Sequence, residues 1–340
     1  MKRVVVLGGL GLFGRTIIKQ LRGLGLIAQS ASRRGLADVR VDANDGASIR
    51  AALRPGDLVI DAAGPFQART AALIQAAIEI GFDVIDLNDD LSYAESVIAL
   101  EPQIAAAGIR VLSSASSVSA VSAAVVQHSG IASPRRVTSF LAPATRHTAN
   151  SGTAVSLLRS VGRPIRVLSG TKLMPRMGWS EKQEFVMPPP IGSIEGRLFE
   201  SADVLYLPTI WPTLSDVSMY VDTHTIGANT LLRLAAVCGP FRTLLEQSLG
   251  VGTWLAKKFG SSTGGIGYEI EGANGHVAKV AIVATANSYL TAVAPAVLAT
   301  REIALGALSQ RGLIMPDQHV EPDVLFAYLA ANDITVSHAD

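Results

Sequence analysis

Val4-Val5-Val6-Leu7-Gly8-Gly9-Leu10-Gly11-Leu12-Phe13-Gly14 is the stretch that decides the fold. Its first four residues are apolar and mostly β-branched, as a strand covered on both faces of a parallel sheet requires. They run directly into G-x-G-x-x-G, Gly9 to Gly14, with Gly8 opening the same loop. A helical pattern follows, with Phe13, Ile17, Ile18 and Leu21 on one side. Between strand and helix each glycine has a task. Gly9 permits the tight turn, Gly11 lets the backbone approach a pyrophosphate, and Gly14 lets helix and strand pack closely. The helix start at Leu12 and Phe13 then offers free N–H groups and a positive dipole end to phosphates. The same residues also spell G-x-x-x-x-G-R-T from Gly9 to Thr16, close to the loop of nucleoside triphosphate hydrolases. There Arg15 replaces the lysine that such a loop uses, which argues against that reading.

Outward from this loop, short apolar runs alternate with helical patterns. Strands are expected at 26–31, 39–41, 58–60, 82–87 and 109–112, with helices at 47–53, 70–80 and 93–107. This alternation predicts an α/β fold with a doubly wound, Rossmann-type parallel sheet. After about residue 120 the rhythm changes. A strand is expected at 136–141 and a helix at 153–161, then a loop-rich zone around Pro175, Pro188-Pro189-Pro190, Pro208 and Pro212. Strands at 267–271 and 276–284 meet at Asn274-Gly275, a hairpin signal. Helices are expected at 289–308 and 323–331. The expected domains are 1–125, completed by 285–340, and a second mixed α+β domain over 126–284.

The second strand carries the cofactor choice. An acid about twenty residues past the glycines would bond a ribose 2′-hydroxyl and favour NAD. The first acid in the chain is Asp38, and the strand leads instead into Ser32-Arg33-Arg34. Arginines make forked, charge-assisted bonds to a 2′-phosphate and serine adds a donor, so NADP is expected and NAD is disfavoured. Asp42 is placed to bond the adenine amino group or to cap the turn that follows. Ala63, Gly64 and Pro65, after the fourth strand, would let the backbone pass close to the cofactor ribose.

Gly8 to Gly14, Ser32-Arg33-Arg34, Asp61-Ala62-Ala63-Gly64-Pro65-Phe66-Gln67 and Gly81-Phe82-Asp83-Val84-Ile85-Asp86-Leu87 together resemble the saccharopine dehydrogenase (NADP-binding) superfamily, in particular its short bacterial members. The likeness covers roughly residues 1–125 and 285–335. It implies a Rossmann domain, a central α/β domain carrying most substrate contacts, C-terminal helices returning to the first domain, and a homodimer. It also implies hydride transfer to or from a C=N, C=O or C=C bond of a small metabolite. Val118-Ser119 stands where the amino-acid-handling members carry Pro-Gly, a departure that argues against saccharopine itself.

Ligands of a doubly wound sheet bind beyond the carboxyl ends of its strands. This selects Asn88, after the fifth strand, and Ser117, after the sixth, as candidate catalytic residues. Ser117 is equally suited to cap the next helix. His147, within Thr145-Arg146-His147-Thr148, is the candidate proton donor in the second domain, with Arg146 a candidate for a substrate carboxylate. Trp179 and Trp211 fit either a lid or ordinary packing. No metal site is expected. Two alternatives remain beside a reductase: a regulator that binds NADP without turnover, and a trans-acting enoyl reductase of lipid synthesis.

Composition sets the outer limits. A net charge of +1 gives no global field for nucleic acid, and no apolar run is long enough for an integral membrane segment. With 49% apolar residues and 17% charged ones, an extra buried surface such as a homodimer interface is expected. Cys238 is the only cysteine and reads as a small buried hydrophobe. The apolar stretch 230–259 reads as core or subunit interface, with an apolar acyl pocket as the sharper alternative. No secretory signal is seen, and a cytoplasmic location is expected.

Overall fold

The computed structural model describes residues 2–338. Its first part runs β1 (Val4–Leu7), α1 (Leu12–Gly23), β2 (Ala28–Ser32), β3 (Val39–Arg40), α2 (Gly46–Ala52), β4 (Leu58–Asp61), α3 (Ala72–Ile80), β5 (Asp83–Asp86), α4 (Leu91–Ile98), α5 (Glu101–Ala107) and β6 (Arg110–Leu112). Then come α6 (Ala120–His128), β7 (Pro134–Ala142), α7 (Thr145–Thr148), α8 (Ser151–Ser160), β8 (Pro164–Ser169), β9 (Lys172–Met177), β10 (Lys182–Met187), β11 (Gly192–Phe199), α9 (Asp203–Ile210) and β12 (Asp216–Val221). The last part is α10 (Ala228–Val237), α11 (Gly239–Gln247), α12 (Leu249–Phe259), β13 (Gly264–Gly272), β14 (Val277–Ala284), α13 (Tyr289–Leu305), β15 (Gly312–Ile314), α14 (Pro322–Ala330) and β16 (Ile334–His338).

The first sheet has the order β15-β6-β5-β4-β1-β2-β3, with every neighbouring pair parallel. β1, β4, β5 and β6 are buried along their whole length, which is why they read as apolar runs with charged residues only at their ends. From β1 the chain crosses to β2 on one side and later to β4 on the other. The order therefore reverses between β1 and β4, where Leu7 and Asp61 are register partners. Such a switch point is where an open α/β sheet leaves a crevice beyond its strand ends.

The second sheet is mixed, β10-β11-β12-β7-β13-β14-β16, with β8 paired to β12 and β9 to β8. β7 pairs parallel with β12 and antiparallel with β13. Its core stacks Phe140 on Phe185 and Tyr220, at ring separations of 4.7 and 5.7 Å. The chain divides into two compact units, residues 1–121 with 290–321, and residues 122–289 with 322–340.

Several expectations need correction. The proline-marked zone is not loop-rich: it builds β8 to β11, α9 and β12. Pro175 lies in β9, which pairs with β8 alone, so the missing N–H removes no bond on a second side. Pro188-Pro189-Pro190 turns β10 into β11, and Pro208 sits inside α9. The end of the chain does not all return to the first unit: α13 and β15 do, whereas β16 pairs with β14. Trp179 is no lid, being a 1% exposed core residue. Cys238 is only half-buried, at the junction of α10 and α11. The stretch 230–259 is mostly not core: Leu232 and Ala235 of α10 are buried, whereas α11 and α12 have no buried residue.

Candidate cofactor-binding site

The glycine loop meets its neighbours at backbone distance. A Cβ on Gly14 would lie 2.3 Å from the Gly8 carbonyl oxygen, so only glycine lets α1 start this close to the loop. Gly8 has φ +69°, and a Cβ there would stand 2.6 Å from the Ala62 carbonyl oxygen. The loop is thereby pressed against residues 62–63, which follow β4. Gly11 is extended at the N-cap of α1, and no side chain caps the helix. The amides of Leu12, Phe13 and Gly14 thus start a helix with no internal acceptor for them, the arrangement that binds anions.

Beyond β2, Ser32 accepts a hydrogen bond from the Arg34 N–H at 3.2 Å, and Arg33 and Arg34 are exposed. Arg33 stands 3.9 Å from Asp42, both at the surface. Asp42 follows β3, which ends at Arg40 rather than at residue 41, and its carboxylate caps the Asn44 N–H at 3.0 Å. Asp38 is tied to Ser30 within β2. Its carboxylate accepts from both the N–H and the hydroxyl of Ser30 at 2.8 Å, and these bonds hold its pKa below the ordinary range. Ser32, Arg33 and Arg34 are therefore left as the polar groups directly beyond β2.

Ala63, Gly64 and Pro65 follow β4, with a cis peptide bond between the last two. This loop is held by an ion pair that the sequence reading did not single out. Arg69 and Asp61 are 4% and 0% exposed, joined at 2.5 Å. Arg69 also donates to the Ala63 carbonyl at 2.9 Å, and Asp61 accepts from the Ala63 N–H at 3.0 Å. The guanidinium sits 5.6 Å from the Phe66 ring, which packs edge-on against Tyr93. Burial opposes the Arg69 charge, and the Asp61 carboxylate more than restores it. The signal was present in outline: opposite charges eight residues apart bracket a small-residue loop after an apolar strand.

Asp86, at the end of β5, was also missed. It is fully buried. One oxygen accepts from Ser113 Oγ at 3.1 Å, the Ser114 N–H at 2.8 Å and the Asn88 N–H at 3.1 Å. The other oxygen has no partner. Burial pushes this carboxyl up to about 7, against the lowering effect of those hydrogen bonds.

The structure brings Asn88 to this rim but commits its amide. Nδ2 donates to the Asp90 carbonyl and Ser114 Oγ, Oδ1 accepts from the Asp90 N–H, and the residue is 0% exposed. Ser117 is half-buried in the loop after β6, between Ser114 at φ 60° and Ser119 at φ 70°. Two non-glycine residues in the left-handed region mark a backbone under strain, a feature that clusters at ligand-binding sites. His147 is exposed on α7 in the second unit, beside exposed Arg146, whose backbone N–H donates to the Ser261 carbonyl.

Residues 4–112 match the family model described as saccharopine dehydrogenase NADP binding domain. No curated protein matches the chain in sequence. Among solved structures, apo saccharopine dehydrogenase (L-Glu forming) from Saccharomyces cerevisiae overlaps with a TM-score of 0.66 at 13% identity, covering 100% of both chains. The WlbA dehydrogenase from Thermus thermophilus, solved with NAD and UDP-GlcNAcA, overlaps with a TM-score of 0.41 at 11% identity, over 97% of this chain and 94% of that one. The first likeness establishes a shared fold, and the second is too loose to add to it. With the glycine loop, the β4 loop and the strand order all in place, residues 4–112 form a domain that matches the saccharopine dehydrogenase NADP-binding model, on a fold shared with saccharopine dehydrogenase.

Proposed function

We propose that the protein is an NADP(H)-dependent oxidoreductase acting on a C=N, C=O or C=C bond of a small metabolite, with NADP preferred over NAD. The observation that carries the cofactor preference is the end of β2. Ser32, Arg33 and Arg34 stand where an acid would hold the ribose of NAD, and the first acid along the chain, Asp38, is bonded to Ser30. The residues fit the group: α1 offers uncapped amides, Gly8 and Gly14 leave no side chain in the way, and Arg69 holds Ala63 in position. When bound, the nicotinamide supplies or accepts the hydride. Gly9, Gly11, Leu12, Phe13 and Gly14 bind the pyrophosphate, the arginines grip the 2′-phosphate, and Ala63, Gly64 and Pro65 line the ribose path. Asp42 is assigned a bond to the adenine amino group.

Ser117 is proposed to hydrogen-bond the substrate, and His147 to hold the proton exchanged with it. Asn88 is proposed to act through the loop it braces. The single free cysteine suits a reducing compartment such as the cytoplasm. The test is calorimetric titration of the apo-protein with NADPH and NADH, repeated on Arg33→Ala/Arg34→Ala. NADPH is expected to bind the more tightly, and the double variant to lose about 10- to 100-fold in NADPH affinity with NADH unchanged. Failure to bind either nucleotide overturns the reading. Absorbance at the reduced-nicotinamide band with imine, carbonyl and enoyl compounds then separates a reductase from a protein that only binds.

A further inference from the structure

We infer that the face formed by α10, α11 and α12 docks onto an anionic lipid bilayer surface. These three helices of the second unit bury little of themselves. Leu232 and Ala235 are the only fully buried residues of α10, and α11 and α12 have none. Their large apolar side chains point outward: Val237 is 80% exposed, Val251 59%, Trp254 57% and Phe259 57%. On α12 the exposed residues Val251, Trp254 and Leu255 fall at helical spacing, so they share one side of the helix. An apolar stripe of this kind in water lacks the surface that covers it.

Charge decides what covers it. Residues 226–259 carry Arg233, Arg242, Lys257 and Lys258 against Glu246 alone, a net +3 within a chain of net +1. The one acid, Glu246, pairs with Arg163 at 2.6 Å, and Arg242 donates to the Gly162 carbonyl at 2.6 Å, so Arg233, Lys257 and Lys258 are the exposed cations of the segment. A second copy docked on this face about a two-fold axis would set these cations against themselves. A partner rich in anions matches them. Lys258 Nζ lies 5.2 Å from the Trp254 ring and 5.4 Å from the Phe259 ring. Rings below a lysine that keeps its charge in water are the arrangement of a helix lying in the bilayer–water boundary. Among the described residues no helix is long and apolar enough to cross a membrane, so the segment rests on the surface and does not span it.

The experiment is flotation of the full chain with vesicles of phosphatidylcholine alone, and with about one-third phosphatidylglycerol. Binding is expected to the anionic vesicles and to be reversed by about 1 M salt. Lys257→Gln/Lys258→Gln is expected to weaken it about 25-fold, roughly fivefold per charge. Trp254→Phe keeps the apolar contact, so it should still float but lose the blue shift in tryptophan emission that marks insertion. NADPH titration checks that each variant is folded. Absence of flotation, or flotation indifferent to lipid charge, overturns the proposal. So does a dimer in analytical ultracentrifugation that Trp254→Ser converts to monomer, which would make this face a subunit interface.

Discussion

Asp83 and Asp86 stand at the two ends of one strand, β5, and both are buried. Asp83, at the start, is met by cations: Lys2, and Arg110 at 3.1 Å, with the Arg110 N–H on its other oxygen. Asp57 at the same rim is gripped by Arg3. Asp86, at the far end, receives only neutral donors and leaves one oxygen bare. The rim where strands begin is an ion-paired seam that ties chain ends together. The rim where they finish holds the glycine loop, the Arg69–Asp61 clamp and a carboxyl close to its point of titration. Ligands of a parallel sheet meet it at its carboxyl edge, so on the proposed reading one rim serves stability and the other binding.

Three substitutions test that separation. The largest effect is expected for Arg69→Met, which strands the Asp61 carboxylate at 0% exposure and should cost about 3–5 kcal/mol in urea unfolding. NADPH affinity should fall as well, because the same side chain holds Ala63. A stable variant with normal affinity would remove the clamp from the binding rim. Next comes Asp83→Asn, expected to cost about 2–3 kcal/mol with NADPH affinity unchanged, since it leaves Arg110 without its charged partner at the opposite rim. Any specific loss of affinity in a folded variant would break the division between rims.

The smallest effect concerns pH. An unfolded Asp loses its proton near 3.9, whereas Asp86 holds one up to about 7. Between those values the folded state binds more protons, so stability falls as pH rises, by at most about 1.4 kcal/mol per pH unit. The charged groups that act on it are Asp61 and Arg69. Asp86→Asn keeps the neutral shape at every pH and should remove that slope. Comparing both proteins at pH 5 and pH 8 cancels the opposite trend of His319, which burial pushes down to about 4 and which destabilises the fold as pH falls. Equal slopes would mean that Asp86 is ionised in the folded protein.

Much of the first unit was legible because its signals are local. A glycine loop between a buried strand and an amphipathic helix carries its meaning within eleven residues, and Ser32-Arg33-Arg34 takes its own from its distance to that loop. Asn274-Gly275 likewise predicted the turn between β13 and β14, where Gly275 has φ 79°. The hairpins of residues 164–199 were hidden because proline is read as a breaker, and whether a strand is an edge is a property of the sheet. Of the rim, Asn88 and Ser117 were found by position, while the commitment of the Asn88 amide depends on Ser114, which lies 26 residues away in the chain.

The sequence by itself determined the parallel sheet, the glycine loop and the place of the arginines after β2, because period, glycine placement and short spacing are written along the chain. Only the tertiary structure decided which carboxylates are paired, which one is left to titrate, and whether 230–259 is inside or outside. Those outcomes depend on groups far apart in sequence: Lys2 reaches Asp83, and Arg3 reaches Asp57. An apolar stripe has the same period whether it packs against a core or faces outward. Burial is a property of what surrounds a residue, and the chain specifies those surroundings only once it has folded.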